Sequence, residues 1–237
     1  MRRPKVAVIV PSRQRAGNVA RLVSAWQRTT TGDGHLVVAV DDDDPLLSAY
    51  TYLAARWPAD VQLCEAPRHP AGALGGTLND YAIAYAAGFH AVGFMGDDHV
   101  PRTHGWDQMV LDAIQTGYGI VYGDDLFQRR ALPTAVFMDA RIVRALGWMS
   151  PPGLRHLYVD NAWKQLGEAT EQLCYLPRVV IEHLHPAAGK ADMDEVYRRV
   201  NHPDADAWDR AAYLAWQRDS FPADAARIRE ALRGVTG

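Results

Sequence analysis

Short β-branched runs alternate with segments of helical period through the first hundred residues, and this alternation constrains the fold more than any other feature. Lys5 to Val10 is an apolar run stopped by Pro11-Ser12, and Asn18 to Thr29 then sets Val19, Leu22, Val23 and Trp26 at helical spacing. His35 to Val40 predicts a second strand, broken by the acidic run Asp41 to Asp44 and Pro45, with a helix over Leu46 to Trp57. Val61 to Glu65 predicts a third strand, Gly72 to Gly76 a glycine-rich turn, and Thr77 to Ala87 an Ala-rich helix. Ala91 to Met95 is a fourth strand running into Gly96-Asp97-Asp98-His99. Strands that alternate with helices imply an α/β fold of Rossmann-like type, a mostly parallel central sheet flanked by helices.

The second half is less regular. It predicts helices over His104 to Gln115, Ala140 to Leu146 and Tyr158 to Leu166, and strands near Ile120 to Tyr122, Thr134 to Met138 and Cys174 to Leu184. Asp204 to Leu232 reads as a charged, Ala-rich C-terminal helical tail. With 237 residues, 48% apolar and 22% charged, the chain can bury one large core, and neither disorder nor a fibre is indicated. Its formal charge of −3 argues against a uniformly basic nucleic-acid binder. The apolar run after Met1-Arg2-Arg3-Pro4-Lys5 stops at Pro11, too short for a signal peptide, and no stretch reaches the ~20 apolar residues of a membrane span. Cys64 and Cys174 can be two buried thiols or one disulfide, and a reducing cytoplasm is the simpler expectation.

In an open parallel sheet, ligands bind beyond the carboxyl ends of the strands. Four such ends here carry polar or glycine-rich segments: Pro11-Ser12-Arg13-Gln14-Arg15, Asp41 to Asp44, Arg68 to Gly76, and Asp97-Asp98-His99. Two adjacent carboxylates ending an apolar strand repel unless a cation or hydrogen-bond donors compensate, which makes Asp97-Asp98 a candidate for Mg2+ or Mn2+ shared with a diphosphate. The plainer account is a helix N-cap. Asp41 to Asp44 can be a solvated turn, or can lend a carboxylate to a base or ribose. His183 and His185 alternate onto one face of the last strand, where they are metal-ligand candidates or simple hydrogen-bonding groups. Asp160 precedes a helical pattern, as a cap would, and is equally a candidate general base for an acceptor hydroxyl. Trp106, Trp148 and Trp163 can offer stacking faces, although core packing accounts for at least two of them.

Taken in order, these motifs resemble those of the GT-A glycosyltransferases, above all their large inverting family, over Val6 to Pro186. Val8-Ile9-Val10-Pro11-Ser12-Arg13 is similar to the first strand and nucleotide loop, Val40 to Asp44 to the base-binding acidic turn, and Phe94 to His99 to the DxD-type motif. The resemblance implies Asp98 as metal ligand, Asp97 on ribose or metal, His183 or His185 completing the metal shell, and Asp160, in Tyr158-Val159-Asp160-Asn161, as catalytic base. Val159 stands where the family has the first acid of that pair.

The resemblance also implies a nucleoside-diphosphate sugar donor, most often UDP, held by Pro11, Ser12, Arg13, Arg15, one of Asp42 or Asp43, Arg68, Gly75 and Gly76, with Mn2+ or Mg2+. The expected domains are a GT-A unit over residues 1–200, with a nucleotide-sugar half to about residue 100 and an acceptor half after it, and a helical extension over 201–237. Arg102, His104, Arg129, Arg130, Arg155 and His156 fall in the acceptor half. They could form a basic rim for modified DNA carrying hydroxymethylated pyrimidines, with a saccharide as the other acceptor class. A sugar nucleotidyltransferase is disfavoured because Pro11 to Arg15 contains no glycine. A non-catalytic nucleotide-sugar or carbohydrate-binding protein would keep the cleft without turnover.

Overall fold

The structure, a computed structural model, describes residues 4–69 and 74–233. Its first half is built from β1 (Val6–Ser12), α1 (Ala16–Thr29), β2 (Gly34–Asp41), α2 (Leu47–Ala54), β3 (Val61–Ala66), α3 (Leu74–Ala86) and β4 (Ala91–Phe94). β5 (His99–Pro101), α4 (Trp106–Gln115), β6 (Ile120–Asp124), β7 (Val136–Asp139), α5 (Ala140–Leu146), α6 (Val159–Ala169) and β8 (Leu173–His183) follow. Among the described residues three helices follow: α7 (Glu195–Val200), α8 (Pro203–Asp219) and α9 (Phe221–Leu232).

One eight-stranded sheet runs β3-β2-β1-β4-β7-β6-β8-β5. The pairs β1–β2, β2–β3, β1–β4 and β6–β8 are parallel, while β7 and β5 run antiparallel to their neighbours. Val6 to Val10 are all fully buried, because helices cover both faces of the central strand. On one face α1 packs Val19, Leu22, Val23 and Trp26 beside Trp106 and Leu111 of α4. On the other, α3, α5 and α6 bring Leu78, Ile142, Trp163 and Leu166 together with Trp216 of α8 and Ile228 of α9. The C-terminal helices therefore contribute side chains to this core.

Pro177 has no amide to give the ladder, and β8 changes partner nearby: the β6–β8 register jumps from Gly123↔Leu176 to Asp124↔Val180. Beyond the jump β8 pairs with β5, setting His183 opposite His99. This irregular pairing, absent from the sequence reading, brings the last strand to the Asp97-Asp98 turn.

Several expectations need correction. The turn expected over Gly72 to Gly76 falls partly outside the described residues, and Gly75 and Gly76 lie inside α3. A Cβ on Gly75 would come within 2.3 Å of the Leu154 carbonyl oxygen, and the Gly75 amide donates to the Arg155 carbonyl at 3.0 Å. Its glycine thus serves the close approach of α3 to the loop before α6. His185 lies beyond β8, as the N-cap of a short 3-10 turn, so the two histidines do not alternate along one strand. The tail is two helices broken at Ser220, with Pro222 starting the second. Cys64 and Cys174 are free thiols. Among the described residues no helix is long and apolar enough to cross a membrane.

Candidate active site

A cleft of about 540 Å³ opens at the carboxyl ends of β1, β2 and β4, where the strand order changes direction. Pro11, Ser12, Arg13, Arg15, Asp41, Arg68, Asp97 and Asp98 line it, together with Asp160, Trp163, His183 and His185. Asp42, Asp43, Gly75 and Gly76 are not in the lining. Asp41 does line the cleft and lies 2.8 Å from the Arg13 guanidinium, to which Asp43 is also bound from an exposed position. Asp44 is buried and accepts the Gln14 amide at 2.8 Å, tying the loop after β2 to the loop after β1. The Tyr50 hydroxyl, in contact with Ser12 and the Arg15 amide, is pushed up to about 12 by burial.

Asp97 and Asp98 are both buried, and β5 rather than a helix follows them, which removes the N-cap account. Asp97 accepts from Ser12 Oγ at 2.7 Å, with Arg15 at 3.4 Å and Asn18 at 3.5 Å. Burial, and then the charge of Asp98, raises its pKa. For Asp98 burial pulls the same way, but the neighbouring imidazoles of His183 and then His99 outweigh it and hold the carboxyl well below its ordinary range. Asp98 Oδ2 also accepts the Tyr197 hydroxyl at 2.5 Å. Arg15 lies over the Tyr197 ring at 3.9 Å and grips Asp194 at 2.7 Å, so the segment leading into α7 closes that end of the cleft.

The donor set fits a divalent cation. Asp98, His99 and His183 each offer an atom within 4.8 Å of the others. Two buried acids side by side call for positive charge beyond one guanidinium, and carboxylate with imidazole suits Mn2+ and its neighbours. Burial lowers the His183 pKa, which favours the lone-pair form a metal needs. His183 Nε2 lies 3.4 Å from Asp98 Oδ2. His99, although within reach, has both nitrogens engaged: Nδ1 accepts the Gly96 amide at 2.9 Å and Nε2 faces Thr134 Oγ1 at 3.4 Å. It stacks on His183, centroids 4.3 Å apart and planes 15° from parallel, which leaves no in-plane lone pair for an ion shared with its neighbour. Asp98 and His183 are the better-placed ligands. His185 packs on Phe127 and caps its own turn through Nδ1, accepting from the Ala187 amide at 3.1 Å.

On the opposite wall Asp160 lies in the first turn of α6, whose N-cap is Tyr158, held in a left-handed conformation (φ 65°). Asp160 is thus not the cap residue. Its carboxylate accepts the Asn161 amide at 2.9 Å, yet burial raises its pKa to about 6. The loop before it is anchored from α8, where buried Asp209 accepts the amides of Arg155, His156 and Leu157 at 2.7, 3.0 and 2.7 Å. Trp106, Trp148 and Trp163 are all core residues, and of the three Trp163 also lines the cleft. Of the six basic residues suggested for a rim, Arg155 and His156 alone line the cleft, and Arg102 is bound to Glu182 at 2.7 Å.

An open α/β sheet with a cleft at its topological switch point defines a broad class of folds. Solved structures narrow it. The chain superposes on the mannosyltransferase PcManGT from Pyrobaculum calidifontis in complex with GDP-Man and Mn2+ with a TM-score of 0.59 and 16% identity, over 98% of this chain and 80% of that one. It is similarly like glucosyl-3-phosphoglycerate synthase from Mycobacterium tuberculosis in complex with Mn2+, UDP and phosphoglyceric acid, with TM-score 0.59, 10% identity, and 90% and 78% of the two chains covered. S. aureus TarS in complex with UDP gives a TM-score of 0.58 and 12% identity over 75% of this chain and 59% of that one. No protein-family model matches the sequence, and no curated protein is significantly similar to it. The chain has the GT-A fold.

Proposed function

We propose that this protein is a metal-dependent glycosyltransferase that moves a sugar from a nucleoside-diphosphate donor, UDP in first place, to an acceptor hydroxyl. The observation that carries the reading is that Asp98, His183 and Asp160 line one cleft. That the solved structures of like fold hold UDP or GDP-Man, two of the three with Mn2+, supports the choice of donor and ion.

In this reading Arg13, Arg68 and Asp41 hold the nucleoside end, and Ser12 and Arg15 keep Asp97 in place. Asp98 and His183 would hold the cation, which when bound supplies positive charge at the diphosphate oxygens. Asp160, raised to about 6 by burial, is ionised at neutral pH yet basic enough to take the acceptor proton as the new glycosidic bond forms, giving inversion. A saccharide is the acceptor class we propose. The modified-DNA alternative loses support because four of the six basic residues lie outside the cleft lining. The expected domain division, a catalytic unit to about residue 200 and a helical extension after it, remains our working scheme.

Thermal stabilisation by a panel of UDP-, GDP-, CMP- and dTDP-sugars, with and without Mn2+, tests the donor site. A Mn2+-dependent shift with one nucleotide class supports it. No shift with any of them, beside a working control ligand, favours a carbohydrate-binding protein without turnover.

A further inference from the structure

Resting on the metal reading above, we propose that Tyr197 is a positioning residue of the cation site: its hydroxyl fixes the Asp98 carboxylate, and the Arg15–Asp194 ion pair holds Tyr197 where it can do so. Tyr197 lies on α7, 99 residues beyond Asp98, and donates its hydroxyl to Asp98 Oδ2 at 2.5 Å. It is only 6% exposed, yet among the described residues it belongs to neither side of the hydrophobic core. What buries it is the site itself. The Arg15 guanidinium covers its ring at 3.9 Å, and the His185 ring stands nearly perpendicular to it with centroids 5.2 Å apart. Arg15 in turn holds Asp194 with two bonds, Nε to Oδ2 at 2.8 Å and Nη2 to Oδ1 at 2.7 Å. Asp194 caps α7 by accepting the Tyr197 amide at 2.8 Å, which closes the loop of contacts.

The Asp98 carboxylate is held at both of its oxygens. Oδ1 lies against Gly96, where a Cβ would come within 2.5 Å of it, and 3.2 Å from His99 Nδ1. Oδ2 is the oxygen that faces His183 Nε2, at 3.4 Å. A carboxylate oxygen has two lone pairs, so a hydroxyl on one leaves the other for a cation shared with His183. Without that hydroxyl Oδ2 loses its short hydrogen bond, and the carboxylate gains freedom to turn about its Cβ–Cγ bond. A ligand that must be ordered on binding holds a metal more weakly, which is why the hydrogen-bond partners of ligating carboxylates matter to affinity. The same lock reaches the second acid, because Arg15 Nη1 lies 3.4 Å from Asp97 Oδ1. The segment from Asp194 to Tyr197 thus acts on both carboxylates of the pair, on Asp98 directly and on Asp97 through Arg15.

Mn2+ titration of the full-length protein, followed by EPR, tests this without measuring transfer. Tyr197→Phe, which keeps the ring beneath Arg15, should lower Mn2+ affinity about 10-fold or more. Asp194→Asn, which keeps the hydroxyl but breaks the charge pair with Arg15, should lower it less. Tyr213→Phe removes a hydroxyl bound to Gln165 outside the cleft lining and should leave affinity unchanged within twofold. Affinity unchanged or higher in a folded Tyr197→Phe overturns the proposal, as does an equal loss in Tyr213→Phe. So does tyrosinate absorption that appears with Mn2+ in the wild type and is missing from Tyr197→Phe, since Tyr197 would then be a ligand. If Tyr197→Phe does not fold, Asp194→Asn decides: a loss beyond twofold supports the proposal, and no loss overturns it. A wild type that binds no Mn2+ removes the metal reading and this inference together. Mn2+-dependent transfer by the wild type, with Mn2+ affinity untouched in Tyr197→Phe, removes this inference alone.

Discussion

The wall of the cleft that carries Asp97 and Asp98 and the wall that carries Asp160 are held by different means. The first is made by the ends of β1, β2 and β4, which satisfy one another's acids: Ser12 Oγ on Asp97, the Arg13 guanidinium on Asp41, the Gln14 backbone amide on Asp44. The second is held by side chains of packed helices that accept the amides of its loops. Asp209 accepts three successive amides from 53 residues away on average, and Asn79 of α3 receives the Met149 and Ser150 amides at 2.8 and 2.7 Å. One wall is fixed by topology, and the other by helices docked onto it. Damage to the first should therefore remove chemistry at little cost to the fold, and damage to the anchors of the second should loosen the fold itself.

The largest effect is expected at Asp98. Asp98→Ala should reduce transfer to background and also abolish Mn2+-dependent stabilisation by the donor, checked by nucleotide release and thermal melting. Retained donor stabilisation would move the metal away from this wall. Asp160→Asn should cost about 10²–10⁴-fold in kcat while leaving donor stabilisation intact. In the wild type kcat should rise with pH through about 6 and level above it, because Asp160 must be ionised to accept a proton. The linkage has the opposite sense for stability. A raised native pKa means the folded state resists ionising Asp160, so its contribution falls as pH rises from the ordinary carboxylate range through about 6. Asp160→Asn should accordingly melt slightly higher at neutral pH, by no more than about 1 kcal/mol after solvent screening.

Asp209→Ala tests the anchored wall. Leaving three amides without their acceptor should cost about 3–5 kcal/mol in urea unfolding and raise the acceptor KM more than the donor KM. Equal effects on both would erase the distinction between the walls. The smallest effects separate Asp41 from Asp42. Asp41→Asn should weaken donor binding several-fold through Arg13, while exposed Asp42→Ala should change stability by less than about 0.5 kcal/mol and leave donor binding alone.

This contrast also explains what could be read in the chain. β1 to β4 end where the β-branched runs meet Pro, Asp or Gly, so their polar termini were visible as strand ends, and Ala140 to Leu146 is a helix at both expected limits. Which acid of Asp41 to Asp44 lines the cleft could not be read, because the run of four has no period of its own; in the structure Asp41 does, in a salt bridge with Arg13. Tyr197 and Asp194 reach the cleft from a segment the sequence left without any element, by long-range contact with Arg15 and Asp98. His99 was in plain view beside Asp98, but its role depends on the β5–β8 pairing, which the Pro177 irregularity sets and which periodicity cannot reveal.

The account rests on one cleft using both walls in one metal-dependent reaction. Release of nucleoside diphosphate from the donor picked out by thermal stabilisation, followed with and without Mn2+ in wild type, Asp98→Ala and Asp160→Asn, tests it most directly. The account predicts Mn2+-dependent release by the wild type, none by Asp98→Ala, and release reduced at least 100-fold, with donor still bound, by Asp160→Asn. Wild-type rates in either variant, or release indifferent to Mn2+, would contradict it.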